Sequence, residues 1–165
     1  MAPGRGSGPL MGAAEVSSEG GPDPDPNIGA SERGDRLARV LFVERDPHLR
    51  ELEAHFFGAA GYAVEFAADG QAALEQARAS LPDVVITEIL VAKLDGLALC
   101  RQLKADERTR GIAVVVFSIL ASSARAGEAG ADAFLMKPLA EQRLLGTVRR
   151  LLEQRPATRS LEQSL

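Results

Sequence analysis

The sequence predicts an α/β domain: five βα units in a doubly wound parallel sheet of strand order 2-1-3-4-5, the flavodoxin-like (βα)5 arrangement. Three observations predict it. Short β-branched, apolar runs alternate five times with helical patterns between residues 37 and 155, and strict alternation implies a parallel sheet with helices on both faces. The runs RVLFVE at 39–44, PDVVITE at 82–88 and IAVVVFS at 112–118 are nearly continuous in apolar residues, as strands covered on both faces must be. Five units in a segment of this length suit that strand order.

Each element has its own signal. After the first strand, Asp46-Pro47 offers an N-cap and a proline at the first helical position. Leu49, Leu52, Phe56 and Ala59 then recur at helical spacing, and Gly61 ends that helix. YAVEFA at 62–67 alternates as a strand, and Asp69-Gly70 opens a second helix to about Ser80. The third strand runs into LDG at 94–96, which opens a helix carrying Leu99 and Leu103. A short helix over about 121–129 separates the fourth strand from ADAFLM at 131–136. Leu144, Leu145, Val148, Leu151 and Leu152 mark one face of the last helix.

The remainder bounds the function. Of residues 1–36, 17 are Gly, Pro or Ser, with no apolar periodicity. The expectation is a disordered N-terminal tail, either solvated or serving as a tether or partner-binding arm. Residues 37–155 are expected to form the domain and 156–165 a short polar tail, leaving no room for a DNA-binding output unit. A net charge of −4 gives no electrostatic footprint for nucleic acid. No apolar run is long enough to cross a membrane, and no signal-peptide core is present. One cysteine, Cys100, excludes an internal disulfide framework and reads as a small core residue. These features together lead us to expect a cytoplasmic protein. His48 and His55 lie seven apart with no third ligand near, so no metal site is expected.

The question about chemistry is why a buried strand runs into Glu88, since an unpaired buried charge is costly. In this architecture ligands bind at the carboxyl ends of strands, where strands one and three diverge. Strand one ends at Glu44-Arg45 and strand three at Glu88, so the fold places these residues side by side. Thr87 precedes Glu88, and strand alternation turns it to the other face. The loop ERDPH after strand one has no Gly-rich phosphate cradle, which argues against nucleotide or flavin binding.

Taken in order, VLFVERDP, GYAVEFAADGQAALEQA, PDVVITEILVAKLDG, Ser118 and the Lys137-Pro138 of FLMKP resemble the receiver domain of two-component response regulators over residues 38–154. The resemblance implies that Glu44 and Arg45 stand at an acidic pair that helps hold magnesium. It puts Glu88 at the phosphoacceptor aspartate. It makes Ser118 and Lys137 phosphoryl-contact positions and Phe134 the aromatic switch position. Ser118 also reads as an ordinary strand-end hydroxyl, and Phe134 as a core residue. Lys137, one of three lysines in an arginine-rich chain, also reads as a surface residue before a proline.

Three features depart from that pattern. Arginine replaces an acid at Arg45, glutamate replaces aspartate at Glu88, and the stretch from Ser118 to Lys137 is about one helical turn short. The usual pocket carries a formal −2, which suits magnesium, whereas Glu44, Arg45, Glu88 and Lys137 sum to zero. Arginine supplies no acceptor oxygen; Arg45 is expected to pair within the pocket, where it could fill the ion's place, the alternative being that it swings into solvent. The extra methylene of Glu88 displaces its carboxylate from in-line geometry and extends its reach to Lys137 or Ser118.

The expected function is a stand-alone, non-enzymatic, phosphorylation-independent interaction module in bacterial signalling, a degenerate pseudo-receiver. It is expected to need no cofactor and to bind no metal, nucleic acid or membrane. Its protein partner would dock on the fourth-helix, fifth-strand, fifth-helix face or on the N-terminal tail, and a homodimer is possible. The alternative is an unusual phosphoacceptor in a phosphorelay.

Overall fold

Ten elements alternate strictly along residues 36–155, the part of the chain that the computed structural model describes. They are β1 (Arg39–Val43), α1 (Pro47–Ala59), β2 (Ala63–Ala67), α2 (Gly70–Ser80), β3 (Val84–Thr87), α3 (Gly96–Ala105), β4 (Ala113–Ser118), α4 (Ser123–Glu128), β5 (Ala133–Met136) and α5 (Glu141–Glu153). The strands form one parallel sheet in the order β2-β1-β3-β4-β5, as the alternation predicts. The tails expected at 1–36 and 156–165 lie outside the described residues, save Arg36.

Strand pleating divides the core in two. Leu41, Val43, Val85, Val114 and Val116 point to one face and pack with residues of α2, α3 and α4. Val40, Phe42, Val84, Ile86 and Val115 point to the other and pack against Phe57 of α1 and Leu144 and Val148 of α5. The near-continuous apolar runs are thus explained: both faces of the central strands are covered. Phe42 meets Phe57 edge-on at 5.0 Å between ring centroids, a favoured aromatic geometry.

The first three helices begin as their sequences foretell. Asp46, Asp69 and Asp95 each accept a backbone N–H from the first turn: His48, Ala72 and Ala98. Such caps satisfy donors that otherwise have no intrahelical partner. Helix α1 ends at Ala59, and Gly61 follows with φ of 93°, a backbone state glycine enters freely. In the stretch between Ser118 and Lys137, α4 has only six residues.

The loop after β3 folds back tightly. Gly96 donates to the Ile89 carbonyl at 2.9 Å. A Cβ at residue 96 would lie 2.1 Å from the Glu88 carbonyl oxygen, so glycine is required for α3 to start there. This close approach fixes the backbone on which Glu88 stands.

Candidate functional site at the carboxyl edge of the sheet

Register aligns Val43 with Thr87 and Thr87 with Val116. The residues just past these positions therefore emerge together at one edge. The strand β3 ends at Thr87, so Glu88 is the first residue beyond it. Thr87 lies on the same strand face as Val85, and its hydroxyl donates to the Glu88 carbonyl at 2.9 Å.

Glu88 faces Lys137. Its Oε2 lies 3.1 Å from Lys137 Nζ, and its Oε1 accepts the Ile89 N–H at 3.1 Å. Lys137 Nζ also sits 4.9 Å from the Phe117 ring centroid, in cation–π range. The Lys137–Pro138 peptide is cis, and Lys137 N–H donates to the Ser118 carbonyl at 2.9 Å. The strand end thereby positions both the backbone and the ammonium of Lys137.

Ser118 is fully buried, and its Oγ accepts the Leu120 N–H at 3.1 Å. Its hydroxyl oxygen thus organises the turn after β4. Of the two targets within expected reach of Glu88, the lysine is the one engaged.

Arg45 corrects one expectation. It is exposed and makes no ion pair among the described residues. The cause is local. Glu44 Oε1 accepts the N–H groups of both Arg45 and Asp46, at 2.8 and 2.9 Å. That carboxylate is bound to its own turn, so the guanidinium extends to water. The pocket is not closed by two ion pairs; one pair, Glu88–Lys137, forms. Phe134 is half-buried and packs against the cluster that holds Ala126 and Ala129, so it is a core partner of α4 more than an open anchor.

Glu53 went unnoticed in the sequence. It lies one turn after Leu49 on α1, and its Oε2 is buried without a hydrogen-bond partner. Burial, reinforced by the negative charge of Glu44, pushes its carboxyl up to about 8, against smaller opposing effects of Lys137 and Arg50. The available signal was an acid within the apolar stripe of Leu49, Leu52 and Phe56. Beside it, between α1 and α5, opens a cavity of about 400 Å³ that reaches Glu44 and Lys137.

Comparison with known proteins agrees with this architecture. Residues 40–149 match the family model of the response regulator receiver domain. The chain is 38% identical over 115 residues to the response regulator MprA of Mycolicibacterium vanbaalenii, covering 69% of this chain and 50% of that protein. It thus spans about half the length of the curated relatives it matches. Among solved structures, it resembles the receiver domain of a signal transduction histidine kinase from Syntrophus aciditrophicus, with a TM-score of 0.66 and 34% identity over 71% of this chain and 91% of that one. It also resembles the chemotaxis response regulator CheY4 of Vibrio cholerae, with a TM-score of 0.66 and 26% identity over 70% and 99%. With the five-stranded order and the strand-edge lysine and acid in place, the chain belongs to the response regulator receiver domain family of two-component signalling.

Proposed function

We propose that this receiver domain works as a phosphorylation-independent interaction module, with Glu88 serving as a fixed anion at the phosphoacceptor position. The observation that carries this reading is the acidic corner beside Glu88. It offers one carboxylate, Glu44, with one oxygen already held by two backbone N–H groups, and Arg45 where the second acid would stand. Both oxygens of Glu88 are also engaged, by Ile89 N–H and by Lys137.

These residues do not fit a magnesium ion. Magnesium demands near-octahedral oxygen ligation with carboxylates supplying charge, and arginine brings a fixed positive charge with no acceptor. Phosphoryl transfer depends on metal charge to stabilise the transferring group. No step is therefore assigned to Glu88 as nucleophile. Glu88, paired with Lys137, supplies one lasting negative charge where a phosphoryl group would bring nearly two.

A protein held in one state offers partners one surface, because a ligand shifts an equilibrium only through differential affinity. The proposed docking face is α4, β5 and α5, on which Met136, Arg143 and Arg149 are exposed. Incubation with acetyl phosphate and magnesium, followed by intact-mass measurement, tests the reading. The expected product is the unmodified chain. A gain of one phosphate at residue 88 would overturn the proposal in favour of an unusual phosphoacceptor.

A further inference from the structure

The cavity between α1 and α5 is apolar in its walls and acidic at its polar points. Leu49 and Leu52 line it from α1, Ile119 from the turn after β4, and Leu139 from the approach to α5. Leu49, Leu52 and Ile119 are among the most exposed large apolar side chains of the described residues, at 41%, 39% and 63%. Exposed apolar side chains gathered around one concavity mark an interaction site more than scattered ones do. A volume of about 400 Å³ suits a small organic ligand.

The charges select the ligand's chemistry. Glu44, Glu53 and Glu141 all line the cavity, and Lys137 is its one cationic lining residue. Lys137 is already held by Glu88 and by the Phe117 ring. Arg50, the other cation near Glu53, places its Nε on the Glu44 carbonyl at 2.6 Å and its guanidinium over Phe66 at 5.3 Å. No cation among the described residues pairs with Glu53, and its buried Oε2 has no donor. Buried polar groups in native proteins are almost always satisfied, so an orphan oxygen beside a cavity calls for a partner. Its carboxyl holds its proton up to about pH 8, as a group does that has lost water without gaining a counter-charge.

A metal ion does not meet this need. Among the described residues no cluster of three or more His, Cys, Asp or Glu side chains could hold one. The walls are hydrocarbon, which a bare cation would not use. We propose that this cavity binds a small organic cation, an amine or guanidine on an apolar body. The body rests on Leu49, Leu52, Ile119 and Leu139, and the cationic head reaches Glu53 with Glu44 behind it. The ligand's hydrocarbon leaves water, and its N–H group donates to the buried oxygen of Glu53, whose carboxyl releases its proton to solvent as the cation binds. The site shares Lys137 with Glu88, but its test reads Glu53 and is decided separately from whether Glu88 accepts phosphate.

The test uses three probes of matched shape: 2-phenylethylamine, 2-phenylethanol and phenylacetate. Each is titrated into the full chain at about pH 8.5, above the Glu53 value of about 8 and below that of an alkylamine, with amide chemical shifts as the readout. The amine should shift Leu49, Leu52, Glu53, Ile119 and Leu139 saturably and bind at least about tenfold more tightly than the alcohol. Phenylacetate should bind weakest. Glu53→Gln should bring the amine and the alcohol to nearly equal affinity. The proposal is overturned if the amine produces no saturable shifts, if it binds no better than the alcohol, or if its advantage survives Glu53→Gln. Should that variant lose its amide dispersion, the wild-type comparison of amine with alcohol still decides.

Discussion

Lys137 is held from two sides at once: its ammonium lies 3.1 Å from Glu88 Oε2 and 4.9 Å from the centre of the Phe117 ring. The pair is partly exposed, with side chains 31% and 20% accessible, so solvent screening limits its worth. A double-mutant cycle of Glu88→Gln and Lys137→Met, read by urea unfolding, should give a coupling of about 1 kcal/mol. A coupling near zero would mean the pair does not hold in solution.

Returning acids to the pocket should restore metal binding. Arg45→Asp with Glu88→Asp gives the formal −2 of an ordinary receiver pocket; Arg45 is exposed and makes no ion pair among the described residues, so the only pair altered is Glu88–Lys137. Calorimetry should detect magnesium in the double variant and none in the parent. A folded double variant that stays silent would locate the obstacle in Glu44, whose Oε1 is held by its own turn.

Glu53 should tilt the stability profile. Its folded value, about 8, lies above the ordinary carboxylate value of 4.5. Between about pH 4.5 and 8 the native state therefore keeps a proton that the unfolded chain has lost, and stability falls as pH rises through that window. Glu53→Gln should flatten this contribution. The variant's advantage over the parent in chemical denaturation should grow from pH 5 to pH 8.

Two glycines in helices should respond oppositely to alanine. At Gly96 the new methyl would meet the Glu88 carbonyl at 2.1 Å, and forcing backbone apart costs about 1–3 kcal/mol. At Gly146, inside α5, nothing lies within 4 Å. Helix propensity there favours alanine by roughly 0.5–1 kcal/mol. Thermal unfolding of Gly96→Ala and Gly146→Ala should move Tm in opposite directions.

Cys100 is fully buried and donates to the Ala129 carbonyl at 3.3 Å. Burial pushes its thiol up to about 11, so almost no thiolate exists at neutral pH. As the one cysteine, it should stay unlabelled by iodoacetamide in the native state and react in step with unfolding in denaturant. Rapid native labelling would show that α3 and α4 separate locally.

Most of the fold was legible because its signals are local. Asp46, Asp69 and Asp95 each stand just before a helix, and the apolar runs of the central strands declare both faces covered. The missing turn before Lys137 shows in the spacing, but the sequence leaves open whether the fourth helix or the loop before it is shorter; α4 has six residues. The resemblance and the length of Glu88 narrowed its target to Lys137 or Ser118, and the structure selects the lysine. Arg45 did not follow, because its direction depends on which donors occupy Glu44, and backbone N–H groups took its Oε1. Glu53 did not follow either: a helical stripe shows which residues face inward, but not whether α5 brings a partner for them.

The capping pattern also divides the domain mechanically. Helices α1, α2 and α3 start on aspartate side chains that hold their first turns, whereas Ser122 and Ala140, at the starts of α4 and α5, provide no side-chain cap. Each missing cap removes about 1 kcal/mol of restraint on the turn that follows. Opening should therefore be unequal across the sheet, with the β4–β5 side loosening first while the β2–β1–β3 side stays shut. In amide hydrogen exchange, the first turns of α4 and α5 should trade protons for deuterons well before those of α1 to α3. Such an exchange pattern would mark a stiff half and a pliant half, the pliant one carrying the six-residue α4.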